Sequence, residues 1–237
     1  AMYRSLAGEG LGFLLESYDR NYDRYTLFGA EPEEIISSQG DALVITKQDG
    51  TKEIHKGNPF ERLKEYYNGF EIRKEDDGLP FAGGLVGSVG YDFVRYVERL
   101  PEENPDEIGI ETIQFMLVKE FLIADYVAET LTAVVLGEDT PEGKKTAQRK
   151  AAQMIEKAMR AHRQAEAEAV PDGVIVKKSD TREEYGAKVE KIKRYIREGH
   201  IFQTVLSQRW TIRTAQNGFA LYRRLRELNP SPYLYYF

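Results

Sequence analysis

Ile113-Gln114-Phe115-Met116-Leu117-Val118-Lys119-Glu120-Phe121-Leu122-Ile123-Ala124-Asp125-Tyr126 is followed, after a few residues, by Leu131-Thr132-Ala133-Val134-Val135-Leu136. These apolar and β-branched runs read as two long strands, 113–126 and 131–136. The polar break Ala128-Glu129-Thr130 between them is short, so the strands are expected to pair antiparallel. Upstream, Leu43 to Thr46 and Lys52 to His55 flank Asp49-Gly50, a pair that tolerates the positive φ of a tight turn and signals a hairpin. Asn58-Pro59 opens a helix through Tyr67, since asparagine can cap and proline suits the first helical position. Antiparallel pairs with separate helices, and no regular strand–helix alternation, point to an α+β fold in which antiparallel sheets pack with helices.

Beyond residue 137 the composition changes. Residues 138–170 are rich in Ala, Glu, Lys, Arg and Gln, a helix-forming segment with a weak apolar face at Ala147, Ala151, Met154, Ile155 and Met159. Pro171-Asp172-Gly173 closes it with turn chemistry. Thr181-x-x-Glu184 is a capping-box signature, and the helix behind it sets Val189, Ile192 and Ile196 on one side and stops at Gly199. Ile201 to Ile212 reads as a strand, and residues 217–228 as a further helix ended by Asn229-Pro230. The chain closes on the strand-like Tyr233-Leu234-Tyr235-Tyr236-Phe237. An apolar segment at a bare terminus is an unusual edge for a finished domain, so a truncation is expected there. The expected division is 1–137, a helical connector 138–173, and an incomplete block 174–237.

The 237 residues carry 33 basic and 39 acidic side chains, a net charge of −6. No basic stripe is present, so nucleic acid is not an expected partner. The absence of cysteine removes disulfides, thiolate zinc sites and thiol nucleophiles. The longest apolar stretch is broken by Lys119, Glu120 and Asp125, so no membrane span is expected, and no secretory leader is visible. Ala1 before Met2 reads as a tag remnant.

The glycine run Gly83-Gly84-Leu85-Val86-Gly87-Ser88-Val89-Gly90 matches neither G-x-G-x-x-G nor the Walker pattern. Its small residues are expected to let a strand pass close to another backbone. His55, His162 and His200 are scattered, and none has metal-site spacing. His200 sits at a helix end, where a cation suits the dipole. On the expected strand 201–212, alternation groups Gln203, Val205, Ser207 and Arg209 on one face. A buried glutamine needs partners for its amide, and a polar ligand is one such partner.

Five segments, in order, resemble anthranilate synthase component I, of the chorismate-utilising enzyme family. They are Leu14-Leu15-Glu16-Ser17, then Arg24-Tyr25-Thr26-Leu27-Phe28-Gly29, then Gly83 through Tyr96. Gly199-His200-Ile201-Phe202-Gln203-Thr204-Val205-Leu206-Ser207-Gln208-Arg209 and Asn229-Pro230-Ser231-Pro232-Tyr233 complete the set. Two departures stand out: His200 where the family usually has Asp, and Leu234 where it commonly has Met.

The resemblance implies a truncated sandwich of the anthranilate synthase type. It also implies a cytoplasmic carbon–oxygen lyase of tryptophan biosynthesis. Such an enzyme converts chorismate and ammonia to anthranilate and pyruvate with Mg²⁺. The ammonia comes from glutamine on a separate amidotransferase subunit, component II. Gln203 is carried over as an active-site residue. Glutamine takes no proton at neutral pH, which suits a nucleophile, ammonia, that needs no base. Leu15, Glu16, Ser17, Arg24, Pro232, Tyr233 and Leu234 are carried over as the site of tryptophan feedback inhibition. The family's magnesium-binding glutamates belong to segments beyond Phe237. No metal ligand is therefore expected within this chain, and the chain alone is expected to be inactive. The alternatives are aminodeoxychorismate synthase component I and a non-catalytic amino-acid-binding module.

Overall fold

The computed structural model describes residues 2–8, 10–17, 24–72, 78–101, 106–160, 174–215 and 217–237. They fall into two compact units, Ala1–Ala165 with Asn229–Phe237, and Glu166–Leu228.

The first unit holds two five-stranded antiparallel sheets. In one, β12 (Leu234–Tyr236), β1 (Gly12–Glu16), β2 (Tyr25–Ala30), β8 (Glu120–Asp125) and β9 (Thr130–Val135) lie side by side in that order. In the other the order is β5 (Lys52–Lys56), β4 (Ala42–Lys47), β3 (Glu34–Gln39), β7 (Ile113–Val118) and β6 (Gly84–Val89). Phe13, Phe121, Ile123 and Val134 of the first sheet form one buried cluster with Val86, Met116 and Val118 of the second. The other face of the second sheet presents Ile36, Leu43, Ile45, Ile113 and Leu117 to Leu63 and Tyr66 of α2 (Pro59–Asn68). Phe93 and Tyr96 of a 3₁₀ helix at Tyr91–Tyr96 pack on the same cluster. Helices α1 (Met2–Ala7) and α3 (Pro141–Met159) pack against the first sheet through β2, β8 and β9. The unit is an α+β sandwich with helices outside both sheets.

The run 113–126, expected to be one strand, is two strands in two different sheets, joined at Lys119. Before the junction the inter-sheet core takes Met116 and Val118; after it, Phe121 and Ile123. The inward-facing positions change from even to odd, which a continuous pleat does not allow. Lys119-Glu120 is the trace of this in the sequence, because alternation in a half-buried strand tolerates one charge, not two in succession. Lys119 meets Glu33 at 2.8 Å, and Glu120 pairs with Lys150 of α3. The antiparallel pairing across Ala128-Glu129-Thr130 is observed, with Asp125 opposite Thr130.

Other local readings hold in the structure. β4 and β5 form the hairpin around Asp49-Gly50, where Gly50 has φ +83° and Asp49 Oδ1 accepts from the Thr51 N–H at 2.8 Å. Asn58 Oδ1 accepts from the Phe60 N–H at 2.9 Å, while its Nδ2 donates to the Tyr96 carbonyl at 2.7 Å. One side chain thus caps α2 and ties it to the 3₁₀ helix. Along α3, Ala147, Ala151, Met154 and Ile155 are half-buried as expected and Ala158 is fully buried, but Met159 is exposed. The turn at Pro171-Asp172-Gly173, residues 161–170 and His162 lie outside the described residues.

The glycine run builds β6, and Gly87 shows why. A Cβ there would stand 2.0 Å from the Gln114 carbonyl oxygen and 2.7 Å from the Phe115 Cα on β7. The two backbones can pair at this register only without a side chain.

In the second unit, β10 (Val174–Lys178) and β11 (Trp210–Arg213) pair antiparallel, and the same unit holds α4 (Arg182–Arg197) and α5 (Gly218–Leu228). Both halves of the capping box are made: the Glu184 N–H donates to Thr181 Oγ1 at 3.2 Å, and the Thr181 N–H to Glu184 Oε2 at 2.8 Å. At the far end Gly199 is left-handed, with φ +77°. The His200 N–H reaches the Tyr195 carbonyl at 3.0 Å and the Gly199 N–H reaches Ile196 at 3.1 Å, a Schellman closure. The expected strand 201–212 is confined to Trp210–Arg213. The β10–β11 ladder ends at Lys178 opposite Trp210, and Ser179 and Asp180 then turn into α4. Residues 201–209 therefore lack a partner strand among the described residues, and alternation alone makes no ladder.

Two glycine substitutions are expected to act in opposite directions. Gly87→Ala should destabilise the first unit by about 1–3 kcal/mol through overpacking against fixed backbone. Gly186→Ala, inside α4 with open space around its Cβ position, should stabilise its helix by roughly 0.5–1 kcal/mol. Urea unfolding midpoints of the two variants check both signs.

Candidate functional site

β12 returns the end of the chain to β1. The register sets Leu14 against Tyr236, Leu15 against Tyr235 and Glu16 against Leu234. Ser17 directly follows Glu16 and Tyr233 directly precedes Leu234, so both stand next to the last pair of this ladder. Leu15 leans on the inter-sheet core, Leu234 is half-buried, and Pro232 and Tyr233 are exposed. The Ser17 hydroxyl is buried and has no hydrogen-bond partner among the described residues. A buried hydroxyl in that state is costly, and a ligand group is one way to satisfy it.

Arg24 stands just before β2, whose pairing with β1 sets Thr26 against Glu16. Arg24 therefore lies at the same end of the sheet as Ser17 and Tyr233. Its Nε and Nη2 donate to Asp125 Oδ2 at 3.2 and 3.0 Å, and its guanidinium carbon sits 4.7 Å from the centre of the Tyr25 ring. Next to that pair, the Thr26 and Tyr126 hydroxyls are 3.2 Å apart. Asp125 Oδ1 accepts from the Val127 and Ala128 N–H groups at 3.0 and 3.1 Å. The Arg24 hydrogen bonds, followed by those backbone donors, hold the Asp125 carboxyl below the ordinary carboxylate range. One end of the first sheet thus reads, strand by strand, Tyr233, Ser17, Arg24 with Thr26, and Asp125 with Tyr126.

Six of the residues singled out from the sequence as one group gather at this end: Leu15, Glu16 and Leu234 lie on the adjacent strands β1 and β12, and Ser17, Arg24 and Tyr233 each stand one residue beyond a strand of the sheet. Pro232 immediately precedes them. Gln203 belongs to the second unit, where it is exposed and outside any strand, beside Phe202 at 99% and Val205 at 82% exposure. The expected strand environment for Gln203 is therefore absent, for want of a pairing partner. Thr26, Asp125 and Tyr126 were not singled out. An aspartate ending an apolar run and followed by a turn could have signalled the Asx bond to Val127 and Ala128, but not the arginine on another strand.

Residues 14–237 match the family model described as chorismate binding enzyme. The chain belongs to the chorismate-binding enzyme family.

Similar family members include the anthranilate synthase component 1 of Acetivibrio thermocellus, 30% identical over an alignment of 239 positions that covers 94% of this chain and 48% of that protein. That of Cereibacter sphaeroides is 33% identical over 237 residues, 95% of this chain and 47% of the relative. That of Neisseria meningitidis serogroup C is 31% identical over 251 residues, covering all of this chain and 50% of the relative. The crystal structure of anthranilate synthase component I from Streptococcus pneumoniae superposes with a TM-score of 0.73 at 24% identity, over 90% of this chain and 47% of that one. That likeness establishes the sandwich fold. The chain spans about half the length of the curated relatives it matches. Among the described residues no three His, Asp or Glu side chains converge to hold a metal ion. No helix of the described residues is long and apolar enough to cross a membrane.

The lowered Asp125 carboxyl has a consequence for acid stability. A carboxylate depressed in the folded state contributes stability above its ordinary value of about 3.9 and loses it as pH falls through the folded value. Urea midpoints measured from about pH 6 to pH 2 should therefore fall less steeply on the acid side for Asp125→Asn than for the wild type. Parallel acid limbs would remove Asp125 from the linkage.

Proposed function

We propose that this chain supplies the N-terminal half of an anthranilate synthase large subunit. In this reading the enzyme converts chorismate and ammonia to anthranilate and pyruvate in the cytoplasm, the ammonia coming from glutamine on a separate amidotransferase subunit. Tryptophan inhibits it by binding at the end of the first sheet. The observation that carries the reading is the β1–β12 register, which pairs Leu15 with Tyr235 and Glu16 with Leu234, next to Ser17 and Tyr233 in the chain, in a member of the chorismate-binding family. The relatives named anthranilate synthase component 1 support the choice of reaction.

The chemistry of the site suits a zwitterion with an indole ring. Such a ligand needs hydrogen-bonding groups for its charged ends and apolar walls for its ring. Ser17 offers an unspent hydroxyl. Arg24 brings positive charge, and Leu15, Pro232 and Leu234 bring apolar surface. A ligand that touches both β1 and β12 stabilises their pairing, and it shifts any equilibrium in which that pairing changes. If tryptophan weakens chorismate binding, chorismate weakens tryptophan binding by the same factor.

Gln203 takes the role of a positioning group in the chorismate pocket. Its amide can hold a substrate oxygen and takes no proton, in keeping with ammonia as nucleophile. Magnesium, in this reading, is held by carboxylates of the remaining half of the enzyme, as its preference for oxygen ligands requires.

Two measurements test the reading. The chain should bind L-tryptophan in a calorimetric titration, and Ser17→Ala should weaken that binding roughly tenfold, the cost of one hydrogen bond to a charged group. The chain should release no fluorescent anthranilate from chorismate and ammonia by itself. Formation of aminodeoxychorismate instead of anthranilate, once the full-length enzyme is assayed, would select the folate-pathway relative. Tryptophan binding with no chorismate turnover in the full-length protein would select a non-catalytic binding module.

A further inference from the structure

The carboxylate of Asp125 divides its work between two oxygens. Oδ1 accepts from the backbone N–H groups of Val127 and Ala128, at 3.0 and 3.1 Å, and fixes the turn from β8 to β9. Oδ2 accepts from Nε and Nη2 of Arg24, at 3.2 and 3.0 Å. Nε also lies 3.3 Å from Oδ1. The Asp125 side chain is 12% exposed and that of Arg24 is 53% exposed. The aspartate is therefore the fixed member of the pair, anchored in the turn, and the arginine is the member that is held.

An exposed arginine samples many rotamers, and a ligand that uses it must order it. Here the ordering is already done by a two-point clamp and by the Tyr25 ring beneath the guanidinium. Nη1 takes no part in the clamp and has no partner among the described residues. Nη1 of Arg24 and the buried Ser17 hydroxyl are thus both unspent at this end of the sheet among the described residues.

We propose that Asp125 is a positioning residue for amino-acid binding: it does not touch the ligand, but holds Arg24 in the orientation in which Nη1 can bind the ligand's carboxylate at the end of β1. The proposal rests on the effector reading given above. It adds a determinant on β8, two strands away from Ser17, that is coupled to the ligand only through Arg24. An arginine ordered in advance binds more tightly than one ordered on arrival.

The division of labour at Asp125 supplies a variant that separates its two roles. In Asp125→Asn the remaining Oδ1 still accepts from Val127 and Ala128, so the turn is kept. The amide nitrogen that replaces Oδ2 is a donor and cannot accept from the guanidinium, so both bonds to Oδ2 and the negative charge are lost, and only the 3.3 Å approach of Nε to Oδ1 is left. L-Tryptophan is titrated calorimetrically into the wild type, Asp125→Asn, Arg24→Ala and the double variant. Asp125→Asn should bind roughly tenfold more weakly. The double variant should bind no more weakly than Arg24→Ala alone, because Asp125 acts through the arginine. Wild-type affinity in Asp125→Asn, or losses that add in full in the double variant, overturns the proposal and leaves the effector reading standing. Absence of binding to the wild type overturns both. If Asp125→Asn does not fold, Arg24→Lys probes the clamp from the other side. Lysine keeps the charge without the two-donor fork, so binding should fall by a similar factor, and undiminished binding overturns the proposal.

Discussion

Met116 and Phe121 are five residues apart in the chain and stand on opposite walls of the same buried cluster. That is possible because the chain leaves one sheet at Val118 and enters the other at Glu120. Much of the first unit depends on this passage. It fixes which faces of β7 and β8 meet, and so where Phe13, Val86 and Val134 close the core. It also determines which faces are left for α2 on one side and for α1 and α3 on the other. Lys119 and Glu120 are held by Glu33 and Lys150 at the seam. The two sheets are joined covalently at the point where they must be aligned, and their relative placement is not left to apolar contact alone.

The extent to which this architecture was legible follows from what sequence patterns record. Capping chemistry is local, and Asn58, Thr181 with Glu184, and Gly199 all act as their neighbours indicate. The hairpin at Asp49-Gly50 is local in the same sense. Strand extent is different. Residues 113–126 carry the composition of one strand, yet the change of inward parity at Lys119 appears only when the partners on both sides are known. Residues 201–209 carry alternation but find no ladder partner among the described residues. Apolar patterning reports a tendency to be covered; which strand does the covering is a property of the tertiary structure.

At the candidate site the same division holds. Leu14-Leu15-Glu16-Ser17 and Pro232-Tyr233-Leu234 could be grouped from family resemblance, and the β1–β12 register gives that grouping a geometry. Asp125 could not be grouped with them. Its partner Arg24 stands just before β2, 101 residues earlier, and no periodicity connects the two. The unspent Ser17 hydroxyl is likewise invisible in the sequence, since a serine after a strand most often caps or faces water.

β12 is three residues long and is joined to the sheet only through β1. Glu16 and Leu234, which it brings together, come from opposite ends of the chain, so their pairing closes a very large loop. Contacts of such sequence separation are slow to form and are not needed by the hairpins that build the rest of the sandwich. The end of the sheet that carries Ser17 and Tyr233 is therefore expected to form late in folding and to fray early in the native state. Its amide hydrogens belong at the fast-exchanging end of the unit, well ahead of those of β2 and β8. An amino acid bound across β1 and β12 would slow that exchange, acting less as a lock on a rigid pocket than as a fastener on the least committed strand of the sheet.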